Sequence, residues 1–324
     1  MSPSPSDAAR SAAKKTIVLL GAQRFDPTLG ATVEALGVTG PIAIITAGWQ
    51  EREGEDADLH EHLGKRTVNL RLHRRAEEVF RRDPELAEAH HARQSVLRHK
   101  QDFYRVRLEH ALGANHVIRQ RTAPPEILRE EQDASLHAIR RLDDYHLGQC
   151  ARVNDELERE VRPFERPWVE RQRRELGKIL DKCAALCIAG GNVATLLNRL
   201  RLFGIAELLG EQPIFAWSAG AMAISDRVFL FHDSPPQGPG AAEVLDRGLG
   251  LCPGVVVLPQ PETRLRLEDP ERVAVLARRA TPAMALAFPA RAHVTWEDGR
   301  FVRPSNVTRL HEDGSCAPFE GAGA

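Results

Sequence analysis

The sequence predicts an α/β protein: a three-layer fold with a parallel sheet covered by helices on both faces, interrupted by a long helical insertion. Two regions, residues 16–73 and 183–316, contain short apolar runs that end in or lead into glycine, and helical stretches follow these runs. That order is typical of a parallel sheet. Between these regions, residues 74–182 contain no strand-like run, and apolar residues recur there at three- and four-residue steps.

The first region is predicted to hold three strands. An apolar run at residues 16–21 and a second at residues 41–48 flank a helical stretch at residues 27–36. Runs without polar alternation are typical of strands buried on both faces. Residues 67–72 alternate between apolar and polar side chains and predict the third strand.

The helical insertion is predicted to form a hairpin that projects from the α/β body. Pro124-Pro125 separates a first amphipathic tract from a second one that runs from residue 127 toward residue 161. Pro163 and Pro167 interrupt the pattern again before a shorter helix. Proline in a helix interior removes a hydrogen bond and clashes with the preceding turn, so these positions mark helix boundaries.

The second region has the same strand-to-helix order. The run at residues 183–189 leads into Gly190-Gly191-Asn192 and a helix at residues 193–209, and the run at residues 213–217 leads directly into Ser218. A strand, a helix and two edge strands are then predicted at residues 255–258, 270–279, 284–288 and 293–296.

Composition excludes several classes of protein. The 44 Lys and Arg residues balance 45 Asp and Glu residues, so the net charge of -1 provides no drive toward nucleic acid or an anionic membrane. No apolar run approaches the roughly 20 residues of a membrane-spanning helix. Residues 1–15 lack the apolar core of a signal peptide and predict a disordered leader, and residues 317–324 predict a flexible tail. Five scattered cysteines argue against a disulfide framework, so we expect a cytoplasmic protein.

The sharpest chemical motif is Ala216-Trp217-Ser218-Ala219-Gly220. A nucleophile on a tight strand-to-helix turn has a strained backbone, so the residues two positions before and after it must be small. Ala216 and Gly220 meet this requirement. The alternative interpretation is an ordinary tight turn that contains a serine, because small residues also allow close packing of a helix on a sheet.

A second motif, Gly190-Gly191-Asn192, follows the preceding predicted strand in the same way. Glycines at the end of a strand let the backbone approach a ligand closely and offer an amide donor. We therefore expect Gly190 and Asn192 to contact substrate. The alternative is that Asn192 caps the following helix and that the glycines serve the turn.

Together these motifs resemble the dipeptidase E and cyanophycinase family of serine peptidases. The resemblance rests on residues 188–192, residues 217–221 and Gly248-Leu249-Gly250-Leu251, and it extends over residues 183–267. It implies the class I glutamine amidotransferase-like fold, which is flavodoxin-like. The helical insertion has no counterpart in it.

The resemblance implies roles for individual residues. Ser218 becomes the nucleophile, the amides of Gly191 and Ala219 form the oxyanion hole, and Arg264 matches an arginine of the family motif Asp-Gln-His-Phe-x-x-Arg. The catalytic histidine of that motif is replaced here by Gln260. A glutamine amide can orient a hydroxyl group but cannot accept its proton near neutral pH.

This departure leaves two readings open. In the first, another imidazole serves as the base, and His232, 14 residues after Ser218, is the first candidate, with His293 a more distant one. The alternative for His232 is a surface-loop histidine. The acidic residues that could orient such a base are Asp226, Asp233, Glu243 and Asp246.

The expected function is therefore a serine hydrolase without a cofactor, acting on a short peptide or amide bond. In the second reading, the chain is a catalytically impaired relative that binds a small peptide, an amino-acid-like ligand or, through the helical insertion, a protein partner. The insertion could equally join two copies of the chain in a homo-oligomer. We expect no nucleic-acid partner.

The insertion also suggests a weaker rival, a metal site. Glu88 and His91, and likewise Asp143 and His146, lie one helical turn apart, a spacing used by di-metal helical bundles. The insertion is so rich in these residue types that such pairs arise by chance, so we expect no metal.

Overall fold

The computed structural model describes residues 15–231 and 242–323, so the predicted leader, except Lys15, lies outside the described residues. The described strands are β1 (Thr16–Leu20), β2 (Ile42–Ile45), β3 (Thr67–Asn69), β4 (Ala185–Ile188), β5 (Ile214–Trp217), β6 (Arg227–Leu230), β7 (Glu243–Arg247), β8 (Val255–Pro259), β9 (Met284–Phe288), β10 (His293–Glu297), β11 (Arg300–Ser305), β12 (Thr308–Leu310), β13 (Cys316–Pro318) and β14 (Ala322–Gly323). Strands β13 and β14 fall where the sequence predicted a flexible tail.

The described helices are α1 (Leu29–Ala35), α2 (Ala57–His62), α3 (Leu72–Arg82), α4 (Pro84–Arg119), α5 (Pro125–Val161), α6 (Pro167–Leu180), α7 (Val193–Leu202), α8 (Ile205–Leu208), α9 (Ala219–Ile224), α10 (Pro261–Arg264) and α11 (Pro270–Ala280). Short 3-10 turns cover Ala47–Arg52 and Pro163–Glu165. Prolines begin α4, α5 and α6, because the first helical position needs no backbone N–H. No helix in the described part of the chain is both long and apolar enough to cross a membrane.

The protein is α/β, with a central, mostly parallel sheet. Eight described strands follow the order β14-β11-β10-β1-β5-β4-β2-β3. Neighbours from β1 to β3 in this order are parallel, whereas β10, β11 and β14 add an antiparallel extension next to β1. The sheet is therefore mixed, where the sequence predicted a parallel one.

Helices cover both faces of the central sheet, which gives the predicted three layers. In β1, Ile17 and Leu19 belong to the core that includes α3, α6, α7 and α9. Val18 and Leu20 belong to the core on the other face, which includes α1 and Leu63 after α2. Because both faces are dry, the parallel strands carry continuous apolar runs.

The later strands form a separate sheet, which corrects one expectation. Strands β8 and β9 pair in parallel within a four-stranded sheet of order β13-β12-β9-β8, and β6 pairs with β7 in a two-stranded sheet. The runs at residues 284–288 and 293–296 were predicted to be edge strands. Both are interior, because β9 lies between β12 and β8, and β10 lies between β11 and β1.

The helical insertion forms the predicted hairpin, but it does not simply project from the body. Helices α4 and α5 pack against each other, and their inner faces contact β7 and α11. The hydroxyl group of Tyr104 accepts a hydrogen bond from the Val244 amide, 3.1 Å away, and donates one to Asp143 Oδ1, 2.7 Å away. Arg279 of α11 pairs with the same Asp143. Buried polar contacts therefore fix the hairpin to the body.

Candidate functional site

A large cavity opens where the parallel strands of the central sheet end. Its volume is about 1140 Å³, and Ala22, Gly48, Gly190 and Ser218, which follow β1, β2, β4 and β5, line it. The carboxyl ends of parallel strands are the usual ligand site of such sheets, because the loops there come from successive strands and converge.

Ser218 has a strained backbone conformation on the turn between a strand and a helix, which we call the elbow. It lies between β5 and α9 with φ 49° and ψ −120°, a region that non-glycine residues rarely occupy. Gly220 allows this turn to pack closely, since a Cβ atom at that position would lie 2.2 Å from the carbonyl oxygen of Ile188. The small-x-Ser-x-small pattern therefore corresponds to a strained turn held against β4.

The hydroxyl group of Ser218 is available to a ligand. Its side chain is half-buried on the cavity wall, and it makes no hydrogen bond with any residue in the described ranges 15–231 and 242–323. Strained residues persist where the surrounding structure over-determines them, and they concentrate at active sites.

The glycine motif lies against the elbow. A Cβ atom at Gly190 would lie 3.0 Å from Ser218 Cβ and 3.6 Å from the Ala219 amide nitrogen. Gly191 has φ 112°, and a Cβ atom there would lie 2.4 Å from the carbonyl oxygen of Gly48. At Gly191, only glycine fits without displacing the neighbouring backbone, and at Gly190 a larger residue would crowd the Ser218 side chain.

Two amide donors lie beside Ser218, where the sequence predicted an oxyanion hole. Neither the Gly191 nor the Ala219 N–H group has a backbone acceptor among the described residues, and both residues line the cavity. The loop is held in place because the next amide, that of Asn192, donates to the Gly48 carbonyl at 2.7 Å. Unpaired amides at an open cavity can bind a negatively charged oxygen.

Asn192 has the capping contact that the alternative interpretation expected. Its Oδ1 atom accepts a hydrogen bond from the Thr195 amide, 2.9 Å away, and so caps α7. The side chain also lines the cavity. A role in substrate binding stays a prediction.

Gln260 and Arg264 reach the cavity from the segment that follows β8, a strand of the four-stranded sheet. Gln260 follows β8 with φ 56° and ψ 55°, its side chain is exposed, and both residues line the cavity. The cavity therefore lies between the ends of the central strands and a segment of the four-stranded sheet. The position that resembles the histidine of the family motif faces the same space as Ser218, but it presents an amide.

His62 also lines the cavity, although no sequence motif predicted it there. Its Nε2 atom lies 2.9 Å from the Gly30 amide nitrogen, and because an amide N–H can only donate, Nε2 accepts. The neutral ring then carries its proton on Nδ1. His62 is therefore arranged to donate a hydrogen bond to a ligand, and not to accept the proton of Ser218. No local sequence pattern marks it, since its partner lies 32 residues away.

The other candidate bases are not assembled with Ser218 among the described residues. His232 and Asp233 lie outside the described residues, although Phe231, immediately before them, lines the cavity. His293 begins β10 and pairs with Leu20, two strands away from β5, and it does not line the cavity.

The predicted acidic residues that the structure describes have partners away from the cavity. Asp226 Oδ2 accepts from the Gly254 amide at 2.9 Å, and burial raises the pKa of its carboxyl group. Glu243 accepts hydrogen bonds from Gln101 and Arg105 of α4. Asp246 forms an ion pair with Arg201 of α7. None of these three carboxyl groups lines the cavity.

Charged side chains form the outer wall of the cavity. Arg52 Nε donates to Glu55 Oε2 at 2.7 Å, and this hydrogen bond lowers the pKa of Glu55. Arg24 and Asp58 are exposed, and neither forms an ion pair in the described part of the chain. The wall thus offers both a cation and an anion to a ligand.

The two residue pairs considered as metal ligands, Asp143 with His146 and Glu88 with His91, lie in surroundings unlike a metal site. Asp143 accepts hydrogen bonds from Arg279 and Tyr104, and His146 Nε2 lies 3.2 Å from the Leu245 carbonyl oxygen. Glu88 and His91 lie on the surface half of α4. Within the ranges that the structure describes, no three His, Cys, Asp or Glu side chains are grouped as metal ligands.

Comparison with known proteins adds a structural neighbour of low similarity. No protein-family model matches the chain, and no curated protein matches it in sequence. Among solved structures, the chain is similar to a peptidase from an acI-B1 Actinobacterium, with 13% sequence identity and a TM-score of 0.45. That match covers 94% of this chain and 97% of that chain. At this level of similarity, the neighbour does not identify the activity of this chain.

Proposed function

We propose that the protein is a serine hydrolase similar to the dipeptidase E and cyanophycinase family, acting on a short peptide or amide bond in the cytoplasm. The observation that carries the proposal is Ser218, which has a strained elbow conformation and an unpartnered hydroxyl group at a large cavity. The resemblance to the class I glutamine amidotransferase-like fold is supported by the parallel strands with helices on both faces and by the elbow at the end of β5.

In the proposed reaction, Ser218 Oγ attacks the carbonyl carbon of the scissile bond. The oxygen of that carbonyl gains negative charge as the tetrahedral intermediate forms, and the Gly191 and Ala219 amides stabilise it. Removing one such donor typically costs about 10²–10³-fold in rate. Arg24 and Asp58 on the outer wall suit the opposite charges of a short peptide or an amino-acid-derived substrate.

The proton of Ser218 needs an acceptor, and we assign that role to His232. Gln260 lacks a basic atom. The lone pair of His62 Nε2 already accepts a hydrogen bond from the Gly30 amide. The support for His232 is that Phe229, Leu230 and Phe231, which directly precede it, line the cavity. General-base catalysis of this kind typically contributes about 10²–10⁴-fold.

Gln260 favours a second candidate function, a catalytically impaired relative that keeps the cavity for binding. An amide stands where the resemblance implies the base, and the described imidazole at the cavity is arranged as a donor. In this case, Ser218 and the two amides would bind a small peptide or an amino-acid-like ligand without cleaving it.

A fluorophosphonate probe, followed by intact-protein mass spectrometry, distinguishes the two functions. The hydrolase predicts covalent labelling of the wild type, no labelling of Ser218→Ala, and labelling of His232→Gln that is slower by about 100-fold or more. His99→Gln, which changes an exposed histidine on α4, is the matched control and should label at the wild-type rate.

The variant Gln260→His completes the test. In the impaired relative, the wild type resists the probe and Gln260→His gains labelling, because the new imidazole restores a base next to an intact elbow. If neither protein is labelled while both remain folded, Ser218 is not an activated nucleophile and both versions of the elbow hypothesis are wrong.

A further inference from the structure

A second, smaller cavity lies away from the candidate functional site, between the helical insertion and the α/β body. Its volume is about 220 Å³. Helices α4, α5 and α7 and the turn at Pro163–Glu165 form its walls. No residue of this cavity lines the cavity at Ser218.

Arg93 of α4 is a buried cation on the wall of this cavity, with only 9% of its surface exposed. Its guanidinium group donates to Asn154 Oδ1 at 3.2 Å and to Asn198 Oδ1 at 2.8 Å, and it contacts His90 Nε2 at 3.2 Å. All three partners are neutral. Among the described residues, no carboxylate forms an ion pair with Arg93.

Asp246 and Glu158 are close enough to raise the pKa of Arg93, but neither forms an ion pair with it. Arg201, also on the cavity wall, is already paired with Asp246, and Arg162 is paired with Glu165. Glu158 also lines the cavity, and its side chain is exposed. In the described part of the chain, Arg93 is therefore a cation on the cavity wall that no carboxylate contacts directly.

Hydrogen-bond donors are in excess there. Arg93 Nε and His90 Nδ1 are buried atoms without a hydrogen-bond partner among the described residues. Burial and the nearby Arg93 lower the pKa of His90 to about 3, so the ring is neutral near pH 7. Burial lowers the pKa of Arg93 only to about 10, so its guanidinium group stays charged. A buried charge without a counter-ion is costly.

We infer that this cavity binds a small oxyanion of the phosphate class, with Arg93 as the charged ligand and the side-chain amide of Asn198 as a neutral one. Guanidinium groups match the geometry of phosphate oxygens and bind them through paired hydrogen bonds. The cavity volume of about 220 Å³ is large enough for a phosphate group.

The binding partner has two sources, free phosphate or the phosphate group of a phosphomonoester. Isothermal titration calorimetry with inorganic phosphate and with glycerol 3-phosphate, in a buffer free of other oxyanions, separates them. Tighter binding of one probe identifies which of the two is the ligand. Comparable binding indicates that the site contacts only the phosphate group.

Two variants test the assigned ligands. Arg93→Met should weaken phosphate binding by about tenfold or more. Asn198→Asp should do the same for a different reason, because a carboxylate 2.8 Å from Arg93 would act as an internal anion, and it should also raise the melting temperature in phosphate-free buffer. Arg98→Gln, an exposed arginine on the same helix, is the matched control and should bind phosphate as the wild type does.

The inference is overturned if the wild type binds neither probe at millimolar concentration. It is also overturned if Asn198→Asp is folded and binds phosphate with unchanged affinity. The second result stands even if Arg93→Met fails to fold, because Asn198→Asp keeps the arginine and changes only its partner.

Discussion

The substitution Asp143→Asn tests how the helical insertion is held to the body. Asp143 of α5 is fully buried (0% exposed) and Arg279 of α11 is 2% exposed. Arg279 donates to both carboxylate oxygens, from Nε at 2.8 Å and from Nη2 at 3.1 Å. Tyr104 of α4 donates to Asp143 Oδ1 at 2.7 Å. One carboxylate therefore joins α4, α5 and α11.

The expected cost follows from this burial. The introduced asparagine would keep the shape of the side chain but leave the Arg279 guanidinium group buried without a counter-ion. Breaking a buried pair by removing one partner typically costs about 3–5 kcal/mol, because the remaining charge is uncompensated. We therefore expect Asp143→Asn to lower the free energy of unfolding by about 3–5 kcal/mol.

Urea unfolding followed by circular dichroism measures this change, and a double-mutant cycle tests its cause. If the buried charge is responsible, Asp143→Leu combined with Arg279→Met should cost at least about 2 kcal/mol less than the sum of the two single variants. Glu61→Gln, in the exposed pair with Lys65, is the control and should leave stability unchanged. A loss below about 1 kcal/mol for Asp143→Asn, or strict additivity in the cycle, would refute the reasoning.

Three further predictions concern the elbow, a buried histidine and the thiols. Gly220→Ala should prevent stable folding, because the new Cβ would lie 2.2 Å from the carbonyl oxygen of Ile188, at the end of β4. The control is Gly113→Ala in α4, where a Cβ meets nothing within 4 Å, so the melting temperature should stay unchanged or rise. Burial lowers the pKa of His90 to about 3, so below about pH 6.5 this histidine is protonated in the unfolded state but not in the folded state. The free energy of unfolding should therefore fall by about 2 kcal/mol as the pH is lowered from about 7.5 to about 5. His90→Gln should flatten that slope in urea titrations, whereas His99→Gln should not. Cys316 is the exposed cysteine, so Ellman's reagent should modify it first, and protection of this thiol in the folded protein would contradict the described exposure.

Local patterns were sufficient to predict the parallel strands of the central sheet and the tight turn at Ser218. The runs at residues 16–21 and 41–48 became β1 and β2 because a strand buried on both faces is apolar without interruption. The spacing of Ala216 and Gly220 around Ser218 predicted a tight strand-to-helix turn, and the positive φ of Ser218 is the backbone conformation that such a turn requires. In both cases the cause lies within a few residues.

Features that depend on distant partners could not be predicted in this way. His62 reaches the cavity because its ring contacts Gly30, and the hairpin lies on the body because Asp143 meets Arg279, 136 residues later in the chain. Strand β3 also ended earlier than expected, at Asn69, because Arg71 adopts a left-handed conformation and α3 begins at once. The alternating pattern at residues 67–72 contained no signal for that turn.

Helix α7 connects the insertion to the candidate functional site. Its first residue, Val193, directly follows the glycine loop, and Asn192 fixes that end by capping the helix and by its backbone bond to Gly48. One to two turns further along, Asn198 accepts a hydrogen bond from Arg93 of α4. The helix that follows the Gly191 amide is therefore restrained at two points, at its start by the turn after β2 and near its middle by the insertion. In the proposed hydrolase, the Gly191 amide is an oxyanion donor and must be held within a fraction of an ångström. On that proposal, the insertion belongs to the architecture of the site even though its residues are remote from Ser218.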